Sequence, residues 1–341
     1  MSATLLRLVA TSWIAVLALV TPSLCDSADE YTISEPFPYE NLTVYFVHAK
    51  APGGSVPLTL QEALETQKVR VIETGNVNEL AVENLADEKV FIQSGDIVQG
   101  GRQDRALTVS LVLPPHSGRV PIAAFCVEQG RWSARGAEDG KTFAVASATV
   151  PSREAKVVMS APPAPGSAKA YASPQQAMWA EARRIQQKLS DNLKVEVAEP
   201  LSPTSLGLSL ANENLQRAAT AYVTALQPSG ERDDDVVGFV FAINDHINSA
   251  AVYASNGLFR KMWPKLLLAS AVEAIAAGTQ NARSPASDDI RIFLKSAETA
   301  PASERQLTAL VMQQTRDSEH ALFIETRQSD GPWVARNYLA K

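Results

Sequence analysis

Cysteine is nearly missing from this chain of 341 residues, which carries only Cys25 and Cys126. A disulfide framework is therefore excluded, and if Cys25 leaves with a cleaved leader, Cys126 is an odd thiol. Histidine is sparse as well. His48, His116, His246 and His320 are scattered without ligand spacing, and no HExxH, CxxC or EF-hand loop occurs. No metal and no cofactor is expected. Basic charge is lacking overall, with a formal charge of −6 and a pI near 5.4. Broad nucleic-acid binding is thereby excluded, because it needs a basic face that displaces the counterions of the phosphate backbone. Any attraction to phosphate must be local. Repeats of the solenoid kind are also absent.

The apolar run Leu8–Val20 follows Arg7 and precedes a proline and small polar residues. It is short for a membrane span and has the layout of an export signal. The expectation is a signal peptide over 1–25, an exported tail over 26–40, no membrane span after removal, and a periplasmic or secreted protein. Acylation of Cys25 is the disfavoured alternative, because Pro22 and Leu24 are poor neighbours for it.

The spacing of apolar and turn residues predicts an α+β protein. Residues 41–159 read as an antiparallel, sandwich-like, β-rich half, 160–172 as a Pro/Ala/Gly-rich linker, and 173–341 as a mixed helix and strand half. A capping box, Thr59 with Glu62, opens a short helix in the first half. Strands are expected near Val69–Glu73, Leu80–Asn84, Val90–Gln93, Ala106–Leu113, Val120–Glu128 and Thr142–Val150. In the second half, helices are expected from Ser173–Pro174 to Leu189, over Leu208–Leu226, and over Gly257–Ala277 with a stop at Gly278 and, at Pro264, a kink or a short helix meeting a longer one. A hairpin turns at Asn244–His246. The tail reads as a strand at Ile290–Leu294, a helix at Ala302–Gln314, and strands at Ala321–Thr326 and Trp333–Tyr338.

What the chain does contain is a local concentration of arginine. From Ile97 to Arg135 there are five arginines (102, 105, 119, 131, 135) against Asp104 and Glu128, a balance of +3. No lysine stands between Lys89 and Lys141. Arginine keeps its charge under burial and offers a planar fork to carboxylate or phosphate. The pair Gly100–Gly101 is able to bring backbone N–H groups close to an anion. With Leu113 opposite Val120, side-chain parity sets Leu107 against Cys126 and Arg105 against Glu128, whereas a slip of two residues keeps the faces and changes the partners. The segment is thus expected to form an anion pocket from Gln103, Arg105, Arg131 and Trp132, with Glu128 and Cys126 as catalytic candidates. Each residue also has a plain structural reading: a buried thiol, a bracing ion pair, a packed indole. A standard cysteine phosphatase is excluded. Cys126 and Arg131 stand one residue too close for that loop, and Trp132 occupies the place of its arginine. Glu273 shares a helical stripe with Met262, Leu266, Ala269 and Ala276, so it either emerges at the edge, the favoured reading, or is buried with an arginine of the first half.

Taken together, "GGRQDR", "FCVEQGRW", "SPQQAMW" and "GFVFAINDHINSAAVYASNGLFRKMWPKLLLASAVEAI" resemble the ARG and rhodanese-phosphatase-superfamily-associated protein domain, a poorly characterised, mainly bacterial family. The resemblance runs from about Val44 to the C-terminus. It implies ADP-ribose or another phosphorylated nucleotide as the ligand class. It also adds Asn244, Asn248 and Glu273 as ligand-binding candidates. The expected function is an exported protein with an Arg/Glu/Cys pocket for a small anionic ligand. A non-catalytic binding module and a purely structural role are the alternatives.

Overall fold

Runs rich in β-branched and aromatic residues pair into sheets because a pleated strand turns successive side chains to opposite faces. In this chain such runs recur from one end of the fold to the other. The structure, a computed structural model, describes residues 31–50, 55–136, 140–160, 168–280, 283–309, 311–329 and 331–341. The expected signal peptide, the Cys25 alternative, and residues 26–30 and 161–167 of the tail and linker lie outside these described residues.

Strands β1 (Thr32–Ile33), β2 (Phe37–Tyr39) and β3 (Leu42–His48) come first, and β4 (Leu58–Thr59) leads into helix α1 (Leu60–Glu65). The expected capping box closes there: Glu62 N–H donates to Thr59 Oγ1 at 3.2 Å and Thr59 N–H to Glu62 Oε2 at 2.7 Å. Next are β5 (Val69–Glu73), β6 (Glu79–Asn84), β7 (Val90–Ile92) and β8 (Asp96–Gly100). β9 (Arg105–Leu107), β10 (Leu111–Leu113), β11 (Gly118–Cys126) and β12 (Phe143–Thr149) follow. Four helices come after them, α2 (Arg153–Ser160), α3 (Ala168–Leu193), α4 (Leu206–Leu210) and α5 (Glu213–Glu231). The hairpin β13 (Val236–Ile243) and β14 (His246–Tyr253) precedes helices α6 (Asn256–Ala277) and α7 (Ser287–Ala297). Strands β15 (Ala302–Thr308), β16 (Val311–Asp317), β17 (Ala321–Gln328) and β18 (Trp333–Ala340) complete the order.

The fold is α+β with mostly antiparallel sheets, as the patterning predicts. The largest sheet runs β1-β3-β13-β14-β18-β17-β16-β15, with β2 also on β3. Early and late parts of the chain therefore share one sheet, and residues 31–341 form one compact unit. One face of this sheet, through Phe46, Phe239 and Phe241, packs on α6 and α5; the other, through Tyr45, Val47 and Val240, meets Ile290, Phe293 and Leu294 of α7. Two smaller sheets, β10-β7-β4 and β12-β8-β9-β11-β6-β5, enclose a separate core around Leu60, Val82, Leu107 and Ile122. Among the described residues no helix is long and apolar enough to cross a membrane.

Several expected elements differ. Ala106–Leu113 is two short strands in different sheets, because Thr108 N–H turns to Ala123 O at 3.1 Å while Gly95 N–H takes Leu107 O at 2.8 Å. Leu113 consequently pairs with Val90, not Val120, and Arg105 stands opposite Cys126, the two-residue slip from the expected partners. The helix expected over Leu208–Leu226 is two helices, divided where the Asn212 side chain caps α5. The helix expected from Ser173 starts at Ala168, and α6 continues through Pro264. Ile290–Leu294 is helical, since Ile290, Phe293, Leu294 and Ala297 bury one face at helical spacing. A five-residue window is too short to separate that period from a strand. Ala302–Gln314 falls in the β15–β16 hairpin, where Leu307 and Val311 had imitated a helical pair.

Gly238 shows how closely the central strands approach. A Cβ there would lie 2.5 Å from Ala251 O and 2.8 Å from Val252 Cα, both backbone atoms. Gly238→Ala is expected to cost about 1–3 kcal/mol, the usual penalty of overpacking, measured by urea denaturation. An unchanged midpoint would show that the β13–β14 spacing is not constrained.

Candidate functional site

The arginine segment folds onto itself. Asp104 and Glu128 have no accessible surface, and a buried carboxylate must be paired or hydrogen-bonded. Arg131 Nε donates to Glu128 Oε1 at 2.7 Å, and its Nη2 lies 3.4 Å from Asp104 Oδ1. Arg135 Nη1 reaches Asp104 Oδ2 at 3.2 Å and Glu128 Oε1 at 3.5 Å. Ser205 Oγ donates to Asp104 Oδ2 at 2.6 Å, Ser202 Oγ donates to Glu128 Oε1, and Asp104 N–H donates to Glu128 Oε2 at 3.0 Å. All four carboxylate oxygens are thus occupied. The remaining donors of Arg131 go to the carbonyls of Gly100, Gly101 and Ser133. The glycine amides are occupied as well, Gly100 N–H by Asp104 Oδ1 at 3.0 Å and Gly101 N–H by Thr142 O at 2.9 Å. Burial alone would raise the Glu128 carboxyl, but the Arg131, Ser202 and Asp104 hydrogen bonds outweigh it and hold it below the usual carboxylate range.

Arg105 is separate from this knot. The expected Arg105–Glu128 pair does not form; the nearest carboxylate is Glu73, whose Oε1 lies 3.8 Å from Arg105 Nη2. Glu73 ends β5 and carries no sequence signal that would single it out. Arg105 has no accessible surface; its Nη1 donates to Gln103 O at 3.0 Å, while Nε and Nη2 have no hydrogen-bond partner. The half-exposed Trp132 ring lies 5.5 Å from the guanidinium carbons of both Arg102 and Arg105, within cation–π range. Cys126 is fully buried beside Arg105, and burial pushes its thiol up to about 11 despite the arginine charge. Its backbone is held by Gln175 of "SPQQAMW", whose amide accepts from Cys126 N–H at 2.9 Å and donates to Cys126 O at 2.8 Å. That side chain takes the place of a neighbouring strand.

Asn244, Asn248 and Glu273 come together in a different place. They line a cleft of about 310 Å³ with Arg153, Arg184 and Lys188. Glu273 is buried, against the favoured edge position, because α6 has no exposed edge at this point: every residue from Ala269 to Ala276 is buried. Its partner is not a guanidinium. Oε1 accepts from Arg153 N–H at 2.9 Å and from Asn248 Nδ2 at 3.1 Å, and Oε2 has no partner. Burial raises this carboxyl above its ordinary range, outweighing the nearby Lys156 charge and both hydrogen bonds. Asn244 has φ 61° at the hairpin turn and ties it to the end of α6, donating to Gly278 O at 3.2 Å. Arg153 and Arg184 each contact Glu154, at 3.0 and 3.2 Å. Lys188 is exposed and has no carboxylate partner among the described residues. Arg184 is held more closely by Glu181, its Nε donating to Oε2 at 2.7 Å. Two of the three cations are thus already paired, and among the described residues Lys188 stands free of a carboxylate beside a carboxyl that resists ionisation. Of the positions expected to bind ligand, this cleft gathers Asn244, Asn248 and Glu273, whereas Gln103, Arg105, Cys126, Glu128, Arg131 and Trp132 are not among its walls. Arg153, Arg184 and Lys188 escaped the sequence reading because they sit on helices otherwise covered in charge.

Glu128→Gln is expected to destabilise the protein by about 3 kcal/mol or more, as loss of one partner of a buried ion pair does. A depressed carboxyl contributes fully above its unfolded pKa, and the contribution is lost as pH falls through the folded value. The difference between wild type and variant is therefore expected to shrink on acidification, followed by thermal melts from neutral to acid pH. A gap independent of pH would contradict the ionised knot. Native Cys126 is expected to resist alkylation at pH 8, and labelling at the rate of a free thiol would contradict its burial.

A family model described as ARG and Rhodanese-Phosphatase-superfamily-associated Protein domain matches residues 30–337. No curated protein and no solved structure matches the chain.

Proposed function

The chain belongs to the ARG and Rhodanese-Phosphatase-superfamily-associated Protein domain family, and from that premise and the cleft geometry we propose that it binds a phosphate-bearing small molecule of the ADP-ribose or nucleotide class. The observation that carries the proposal is Glu273 Oε2, a buried carboxyl oxygen without a partner in a cleft rimmed by Arg153, Arg184 and Lys188. The cations take the phosphate, and the Asn244 and Asn248 amides orient the neutral part of the ligand. Arg153 N–H and Asn248 fix Oε1, which leaves Oε2 to meet the guest. A carboxyl held toward its protonated form is suited to deliver a proton to a departing oxygen, so the same arrangement supports general-acid chemistry. The association with phosphatase-superfamily proteins in the family's description is in keeping with a phosphate-bearing guest. The run Leu8–Val20 supports export of the protein.

A second reading, binding without turnover, rests on Arg105: its Nε and Nη2 lack a hydrogen-bond partner, with Glu73 Oε1 3.8 Å from Nη2, and a guest that displaces the half-exposed Trp132 ring would meet them.

Calorimetry with ADP-ribose, and with inorganic phosphate as a reference, tests the proposal. Lys188→Gln is expected to weaken binding by about tenfold, the size of one charge-assisted contact. Glu273→Gln imitates the protonated acid, so it is expected to keep ADP-ribose affinity while abolishing any turnover. A raised folded pKa stabilises below the unfolded value, and that contribution is lost as pH rises through the folded one. The same variant is therefore expected to melt higher than wild type in alkaline buffer. Absence of heat with both ligands contradicts the proposal.

A further inference from the structure

The sheets, α2 and α6 converge on a partly open chamber of about 50 Å³ that contains neither the arginine knot nor the wide cleft. By volume it holds roughly three to five waters, or a molecule of a few heavy atoms. Phe239, Phe241 and Leu266 make part of its wall apolar, and Lys156 of α2 lines it from one side. Among the described residues Lys156 has no hydrogen-bond or ion-pair partner. Lys156 is half-buried, whereas the buried Lys265 is given a carboxylate, Asp96 Oδ1 at 2.6 Å. Thr149 also lines the chamber, and its Oγ1 is buried without a partner. Other wall hydroxyls are occupied, Ser94 donating to Thr108 O at 2.9 Å, Ser270 to Leu266 O at 3.0 Å and Ser249 to Asn248 Oδ1 at 2.7 Å. An amine without a hydrogen-bond partner and an unpartnered hydroxyl therefore share one small space of mixed polarity.

We propose that this chamber is a second site, in which the Lys156 amine forms an imine with a small aldehyde or ketone. The nitrogen lone pair attacks the carbonyl carbon, and the oxygen takes up a proton to give a carbinolamine. Loss of that oxygen as water, with the second nitrogen proton, leaves the C=N bond; no oxidant or reductant is needed. Thr149 Oγ1 is the donor that polarises the carbonyl. Phe239, Phe241 and Leu266 keep part of the wall apolar, which limits the water that would reverse the step. The state of the amine agrees with this role. Burial pushes Lys156 below the ordinary lysine range, outweighing the opposing charges of Glu273 and Glu154, and a desolvated lysine is the nucleophilic kind.

The test is reductive trapping on the full protein. Acetaldehyde or glyoxylate is added with cyanoborohydride, and the adducts are mapped by peptide mass spectrometry. Lys156 is expected to label faster than exposed Lys188, since a lowered amine carries a larger free-base fraction. Thr149→Val is expected to slow labelling at Lys156 alone, and Lys156→Met to remove it with an unchanged circular dichroism spectrum. Should the methionine variant fail to fold, the wild-type map and the Thr149→Val rate decide. Adducts spread according to exposure with Lys156 unmodified would overturn the proposal. So would a ligand that stabilises the protein through Lys156 without any reducible adduct.

Discussion

Helix α6 is buried nearly all round, and that constraint organises the molecule. A helix with no solvent face must satisfy inside the protein every polar group it carries. Lys265 does so with Asp96, Ser270 with the carbonyl of Leu266, and Trp263 by donating to Gln227 O at 3.0 Å. Glu273 does so only in part, through Asn248 and Arg153 N–H, with one oxygen left over. An unfilled acceptor at a cleft is where a guest has most to offer.

The arginine concentration solves a different problem. Two carboxylates, Asp104 and Glu128, lie at zero exposure beside a tight glycine turn. Arginine is the side chain that pairs with both and also donates to the turn carbonyls. Arg131 and Arg135 are thus matched by Asp104 and Glu128, and Ser202 and Ser205 complete the knot from the segment before α4. The surplus of +3 falls on Arg102, Arg105 and Arg119. Gln175 of α3 likewise clamps the strand that carries Cys126. The knot joins the β-rich part to the helices that line the cleft. Its value is positional, which suits groups whose hydrogen bonds are already complete.

The capping box of α1, the Asn244–His246 turn and the Gly278 stop were legible in the sequence because each rests on local chemistry. The α+β class was legible because two periods, two and 3.6, alternate along the chain. Strand partners were not. Whether Leu113 meets Val120 or Val90 depends on a crossing at Thr108–Ser110, where side-chain hydroxyls decide. Ile290–Leu294 and Ala302–Gln314 failed because short windows fit both periods. Asn244, Asn248 and Glu273 were found through the family resemblance. Their cationic rim and Lys156 were missed, because only the packing shows which of many surface charges face inward.

The account turns on where an anionic guest lands. Titrating the protein with ADP-ribose under heteronuclear NMR reads both places at once, through the Asn248 side-chain amide with the Arg153 backbone N–H, and through the Trp132 indole N–H. The account predicts that the Asn248 and Arg153 signals move together and saturate while Trp132 stays still. Movement of Trp132 with a silent Asn248 would contradict it, and would place the guest over Arg105 instead.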